Sequence, residues 1–178
     1  LLANQDYLAA SKVATAYVHI SKSMDNEVGK DESSKRGKKK RMGDMNKGHI
    51  SLSDESAFEV GRNLAITAAQ ALTNQGAIIQ AKTVDVSSAK LTNQGATARL
   101  FGEQSLAINS PAIVNLGGLI RFGEGQAATL NSASLNNQGR IEMAGGSLVL
   151  ASADLNNSGG QIIANELTVN AGTLKNKN

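Results

Sequence analysis

The sequence predicts an all-β solenoid, a parallel β-helix with about 20 residues per coil, and three observations carry that prediction. A short phrase returns along the chain, as Leu72-Thr-Asn-Gln-Gly76, Leu91-Thr-Asn-Gln-Gly95, Val114-Asn-Leu-Gly-Gly118, Leu135-Asn-Asn-Gln-Gly139, Leu155-Asn-Asn-Ser-Gly159 and a shortened Leu174-Lys-Asn176. About ten residues after each phrase, two apolar residues stand two apart, which is the spacing of a strand with alternate side chains facing inward. Aromatic residues make up 3% of the chain, with no Trp and one Pro. An ordinary globular core draws much of its buried area from aromatics, whereas a narrow stack lined by Leu, Ile, Val and Ala does not need them.

In chain order, residues 1–21 read as a degenerate coil that leads into a strand at Tyr17 to Ser21, where β-branched and aromatic residues alternate with others. The chain opens Leu-Leu-Ala-Asn-Gln-Asp, without the basic and apolar regions of a signal peptide, and reads as an internal piece of a longer protein. From Lys22 to Gly48 the apolar period vanishes. Such a composition buries too little apolar surface to offset the entropy of ordering, so its centre is expected to be mobile. Between Lys30 and Lys47 eight basic residues face three acids, a balance of +5; the whole chain carries +3, so the remainder is −2. Alternation resumes at His49 to Ser53. The two flanking strands suggest a projecting β-hairpin with a basic tip, which assigns 22–56 to an insert with its returning strand and 57–178 to the repeats.

Within the repeats the apolar pairs are Leu64 and Ile66, Val84 and Val86, Leu106 and Ile108, Ala128 and Leu130, Leu148 and Leu150, and Leu167 and Val169. A third short strand fits after each phrase glycine, as in Arg140-Ile-Glu-Met-Ala144 and Gln161-Ile-Ile-Ala164. Three short strands joined by tight turns make one coil, and coils stacked at the inter-strand spacing of about 4.8 Å give a rod roughly 25 to 30 Å long. A helix in each repeat is excluded, because the units are glycine-rich, strand-patterned and too short.

The phrase itself has a mechanical explanation. Its Leu points inward. Asn at 74, 93, 137, 157 and 176 is expected to form a ladder of amides, interrupted at the third coil where Leu116 takes the place of Asn. Gly at 76, 95, 118, 139 and 159 is expected to supply a positive φ at a tight corner. These positions carry no binding chemistry.

Several classes of chemistry fall away. The chain has no cysteine, which removes disulfides, thiolate catalysis and Cys-based zinc sites. No window approaches the roughly 18 to 20 apolar residues of a transmembrane helix. His19 and His49 flank the insert and are read as strand residues, not metal ligands, and no cofactor is called for. Asp85, Glu103, Glu124, Glu142, Asp154 and Glu166 fall about one per coil and share no register, so no catalytic cluster is expected. The Gly-Gly pairs at 117, 145 and 159 lack the following Gly-x-Asp of calcium-binding nonapeptides.

One stretch stands apart. Lys35, Arg36, Lys38, Lys39, Lys40 and Arg41 put six positive charges in seven residues, a candidate contact for polyanions that salt would weaken. No aromatic residue is interleaved, so base stacking and specific nucleic-acid binding are not expected. The plain alternative is a solvated tip that keeps a β-rich protein soluble.

The repeats beginning at Leu135 and Leu155 resemble those of filamentous haemagglutinins, the large passengers of two-partner secretion in Gram-negative bacteria, a group that includes the exoproteins of contact-dependent growth inhibition. The phrases carry the resemblance over about 115 residues, and the lysine-rich insert followed by Ser53-Asp-Glu-Ser-Ala-Phe-Glu-Val-Gly61 is similar to that family's hairpin-bearing repeats. The resemblance implies a right-handed β-helical shaft that is not an enzyme. It would lie outside the outer membrane or be secreted, serving virulence as an adhesin or as a stalk that presents a toxin. The implied partners are an outer-membrane secretion transporter, engaged through a region not in this chain, and a host glycan or neighbouring-cell receptor. Two other classes stay open on the residues alone: a β-helical carbohydrate-active enzyme, and a polyanion-binding module built on the basic insert.

Overall fold

Inward-facing aliphatic residues at a fixed period can be buried only by stacking each coil on the next, and this is the architecture of the computed structural model. It describes residues 15–20, 26–28, 48–53, 57–124 and 127–178. The strands are β1 (Thr15–Ile20), β2 (Asn26–Val28), β3 (His49–Leu52), β4 (Ala57–Gln75), β5 (Ile78–Gln94), β6 (Arg99–Asn109), β7 (Ala112–Leu116), β8 (Leu119–Phe122), β9 (Ala127–Asn137), β10 (Arg140–Met143), β11 (Ser147–Asn156), β12 (Gln161–Ile163) and β13 (Glu166–Lys175). Every strand pairs with its equivalent one coil away and in parallel. The result is a parallel β-solenoid of about six turns with about 21 residues per turn.

Each turn has three faces. The first carries the recurring phrase, with Leu72, Leu91, Ile113, Leu135, Leu155 and Leu174 in one column. The second carries the apolar pairs, in the column Leu64, Val84, Leu106, Ala128, Leu148 and Leu167. The third holds the short strands at 57–60, 78–81, 99–102, 119–122, 140–143 and 161–163. We call these the asparagine, serine and arginine faces after residues they carry. On each, buried side chains alternate with half-buried or exposed ones, as in Leu119–Phe122 and Arg140–Met143. The core is the set of inward columns, and among the described residues its bulkiest members are Phe58 and Phe122.

The strands flanking the insert correct the expected hairpin. Tyr17 to Ile20 and His49 to Leu52 are not partners of each other: β1 lies parallel to Asn63–Ala68 on the serine face, and β3 lies parallel to Ala71–Asn74 on the asparagine face. The two belong to one coil beneath β4, and the insert interrupts that coil at the corner between these faces. Part of it returns to the stack, because β2 pairs in parallel with Ile50–Leu52. A strand with an inward alternation gains more from burial in the existing stack than from a partner in a solvated two-stranded ribbon, which is at best marginally stable. The solenoid therefore takes in His49 to Leu52, residues the sequence assigns to the excursion.

Candidate functional surfaces

The ladder of asparagines sits at the turn from the asparagine face to the arginine face. Asn74, Asn93, Asn115 and Asn137 are fully buried. Each Nδ2 donates to the Oδ1 one coil on: Asn74 to Asn93 at 2.9 Å, Asn93 to Asn115 at 2.9 Å, Asn115 to Asn137 at 2.8 Å, Asn137 to Asn157 at 2.6 Å and Asn157 to Asn176 at 3.0 Å. The same amides donate to carbonyls on the arginine face, Asn93 to Leu119 O at 3.2 Å, Asn115 to Arg140 O at 3.2 Å and Asn137 to Gln161 O at 3.0 Å. A buried amide left unpaired is costly, so each rung is fixed by the two beside it.

The interruption expected at the third coil does not occur. Ile113, not Val114, takes the Leu position there, which puts Asn115 in the ladder and Leu116 outside it. The corner glycine moves with the register: Gly117 has φ of 75°, and neither Gly118 nor Gly139 has a positive φ. These two are small for another reason. A Cβ on Gly118 would lie 2.3 Å from the Asn93 amide, and one on Gly139 would lie 2.4 Å from the Gly118 carbonyl oxygen. On the N-terminal side the ladder stops, because Leu52 and then Val28 occupy the column beneath Asn74.

The basic run of Lys35, Arg36, Lys38, Lys39, Lys40 and Arg41 lies outside the described residues. The described strands on either side of it in sequence are β2, whose Val28 is in register with Leu52, and β3, whose His49 is in register with Ala71. The two histidines are on different faces. His19 is in register with Thr67, and His49, in register with Ala71, has its Nε2 2.8 Å from Gln70 Oε1.

The carboxylates are spread over the rod. Asp85 and Glu166 are on the serine face, Asp154 on the asparagine face and Glu142 on the arginine face. Only Glu103 and Glu124 approach a shared position, at the corner leaving the arginine face, where the Glu124 amide donates to the Glu103 carbonyl oxygen at 3.0 Å. Gln80 Nε2 donates to the Glu103 carboxylate at 3.1 Å. Among the described residues no group of three metal-ligating side chains forms, and no helix is long and apolar enough to cross a membrane.

Composition and spacing gave no sign of the surface on the arginine face. Arg99, Leu119 and Arg140 follow one another in one outward column. Phe101, Arg121 and Glu142 follow one another in the next. The Arg121 guanidinium lies over the Phe101 ring, 5.0 Å from its centroid. Glu142 receives Arg140 through its Nε and has Arg121 Nε at 3.3 Å. The Arg121 Nε is nonetheless buried without an aligned hydrogen bond. The signal lay in register: successive residues of each column are 20 or 21 apart in sequence and become neighbours only once the coils are stacked.

Residues 44–121 and 115–178 each match the family model described as Haemagglutinin repeat. Neither the curated proteins nor the solved structures include a match to the chain.

Proposed function

We propose a shaft function from the premise that the chain belongs to the haemagglutinin repeat family. The stacked coils are the rigid element of a haemagglutinin-like exoprotein and set the reach of whatever it carries. The protein works outside the cell, at the outer-membrane exterior or released from it, as an adhesin or as the stalk of a contact-dependent toxin. A two-partner secretion transporter exports it through a region other than this one. The observation that supports a mechanical role is the unbroken ladder from Asn74 to Asn176, which ties six successive coils into one element without reserving a rung for a ligand.

A length-setting part tolerates change in whole coils. In the full-length protein, duplicating residues 119–139 inserts one coil, because Leu119 and Arg140 are in register, and lengthens the rod by about 5 Å. Target-cell binding should survive this insertion and fail when residues 119–128 alone are duplicated, which breaks the register. Loss of binding on the whole-coil insertion would overturn the shaft reading. For location, antibodies against residues 22–48 should label intact cells that make the full-length protein; label only after permeabilisation would exclude a surface role.

The insert adds a second, separable activity to the proposal. Polyanions are drawn to the basic run from Lys35 to Arg41, which lies in sequence between β2 and β3. Replacing Lys38, Lys39 and Lys40 by Ser should lower the salt needed to elute the protein from heparin. An unchanged elution point would remove this activity and leave the shaft reading standing.

A further inference from the structure

We infer that the arginine face is a docking surface for a carboxylated polysaccharide, one in which a uronate alternates with an uncharged sugar. It is independent of both the shaft reading and the basic insert. Among the described residues this is the one face that joins several guanidiniums to an aromatic ring. The outward residues of the serine face are mostly Ser, Thr, Ala and Asn, as in Ile78–Gln94 and Ala127–Asn137.

Geometry selects the ligand. Arg99 and Arg140 are exposed and stand in one column with half-buried Leu119 between them. Two inter-strand steps separate the arginines, about 10 Å along the rod. An extended disaccharide has a repeat of that length, so a chain lying along the rod brings one uronate to each arginine and the apolar face of the intervening sugar to Leu119. An acidic peptide fits less well, because an extended strand repeats on one face every ~6.6 Å and matches neither one nor two coils of this surface.

The neighbouring column pre-orients the site. Phe101 stacks under Arg121, and the Glu142 carboxylate accepts from Arg140 Nε, so Arg121 is restrained by its ring and Arg140 by its hydrogen bond before a ligand arrives. Fixing them in advance reduces the ordering entropy lost on binding. Three arginines against one glutamate leave the patch at +2, modest enough to favour a ligand whose charges are spaced over one that is densely sulfated. Glu103 and Glu124 bound the patch at the adjacent corner and disfavour a broad anionic partner there.

Calorimetric titration of the 178-residue chain with a hyaluronan hexasaccharide tests this at low salt, beside a neutral dextran oligosaccharide and oligoglutamate. The parent should bind hyaluronan and not dextran. The double variant Arg99→Ser/Arg140→Ser should bind at least tenfold more weakly. Both side chains are exposed, so its urea midpoint should match that of the parent and separate lost binding from lost fold. The same tenfold loss should appear when Arg99→Ser/Arg140→Ser is made in a background with Lys38, Lys39 and Lys40 replaced by Ser, which separates this face from the insert. No binding by the parent, full binding by the arginine variant, or no loss on adding the arginine changes to the lysine background would overturn the proposal. Oligoglutamate binding of equal strength and equal dependence on Arg99 and Arg140 would overturn its commitment to a polysaccharide.

Discussion

At the scale of single residues, the fold turns on buried amides that have no water to fall back on. Asn115 donates to Asn137 and to the Arg140 carbonyl oxygen and accepts from Asn93. Asn115→Ala would leave the Asn93 amide and the Asn137 carbonyl each short of a partner, at about 1–3 kcal/mol for each unsatisfied group. Asn176 ends the ladder at an exposed position just past β13, and Asn176→Ala should cost well under ~1 kcal/mol. Urea unfolding of the two variants checks the contrast, and equal losses would mean that the ladder does not hold the coils. Glycine supplies a second contrast. Gly118→Ala pushes a methyl into the Asn93 amide and should destabilise by about 1–3 kcal/mol. Gly145 has open space where a Cβ would go and no positive φ, so Gly145→Ala should be neutral or raise stability by ~0.5 kcal/mol. The sequence showed the ladder as a part but misplaced one rung. Val114 is apolar and the glycine is doubled, so the phrase slips by one residue when read on letters alone. What fixes the register is that Ile113 and Asn115 both face inward and that a buried amide needs partners in the coils on either side.

At the scale of strands, the inward columns were legible because a period of two combined with a period near 20 leaves little choice of what faces inward. The pairing of β1 and β3 was not. Local alternation identifies a strand without naming its partner, and β1 meets a strand 48 residues away, Thr15 against Asn63. The arginine surface was illegible for the same reason, since Arg99, Arg121 and Arg140 acquire a shared face only through register. One column carries a defect that can be tested. Ala128 occupies a position held by Leu106 and Leu148 in the neighbouring coils, and a cavity of about 200 Å³ opens beside it, lined in part by Leu106, Phe122 and Met143. Ala128→Val adds two methyl groups toward that space. At about 0.8 kcal/mol per buried methylene, less the strain of fitting a β-branched side chain, it should stabilise by about 1 kcal/mol. A higher thermal midpoint checks this, and a lower one would show that the cavity cannot accept the added volume. Leu148 itself is fully buried, so Leu148→Asp places an unpaired charge in the stack and should abolish cooperative unfolding.

At the scale of the whole molecule, a solenoid is held by nearest-neighbour contacts, so its stability is a sum over coils and need not be uniform. The inner coils have a neighbour on both sides: Leu148, Leu150 and Leu155 are at most 1% exposed. Their equivalents one coil on, Leu167, Val169 and Leu174, are 44%, 36% and 59% exposed. β13 pairs with β11 alone, while β11 pairs with both β9 and β13. In the 178-residue chain taken by itself, the coil of Glu166–Lys175 therefore lacks most of the burial that stabilises the others and should open without them. Hydrogen exchange on the 178-residue chain should show amides of Glu166–Lys175 exchanging at least tenfold faster than those of Ser147–Asn156, a difference of about 1.4 kcal/mol in opening free energy. Covering that end with one further coil, by appending a copy of residues 160–178 after Asn178 so that the offset of 19 between Leu155 and Leu174 is kept, should slow exchange in Glu166–Lys175 and move the fast-exchanging edge outward by one coil. Uniform protection before the extension, or no change after it, would mean that the molecule unfolds as a single unit, and the additive account of the shaft would fail.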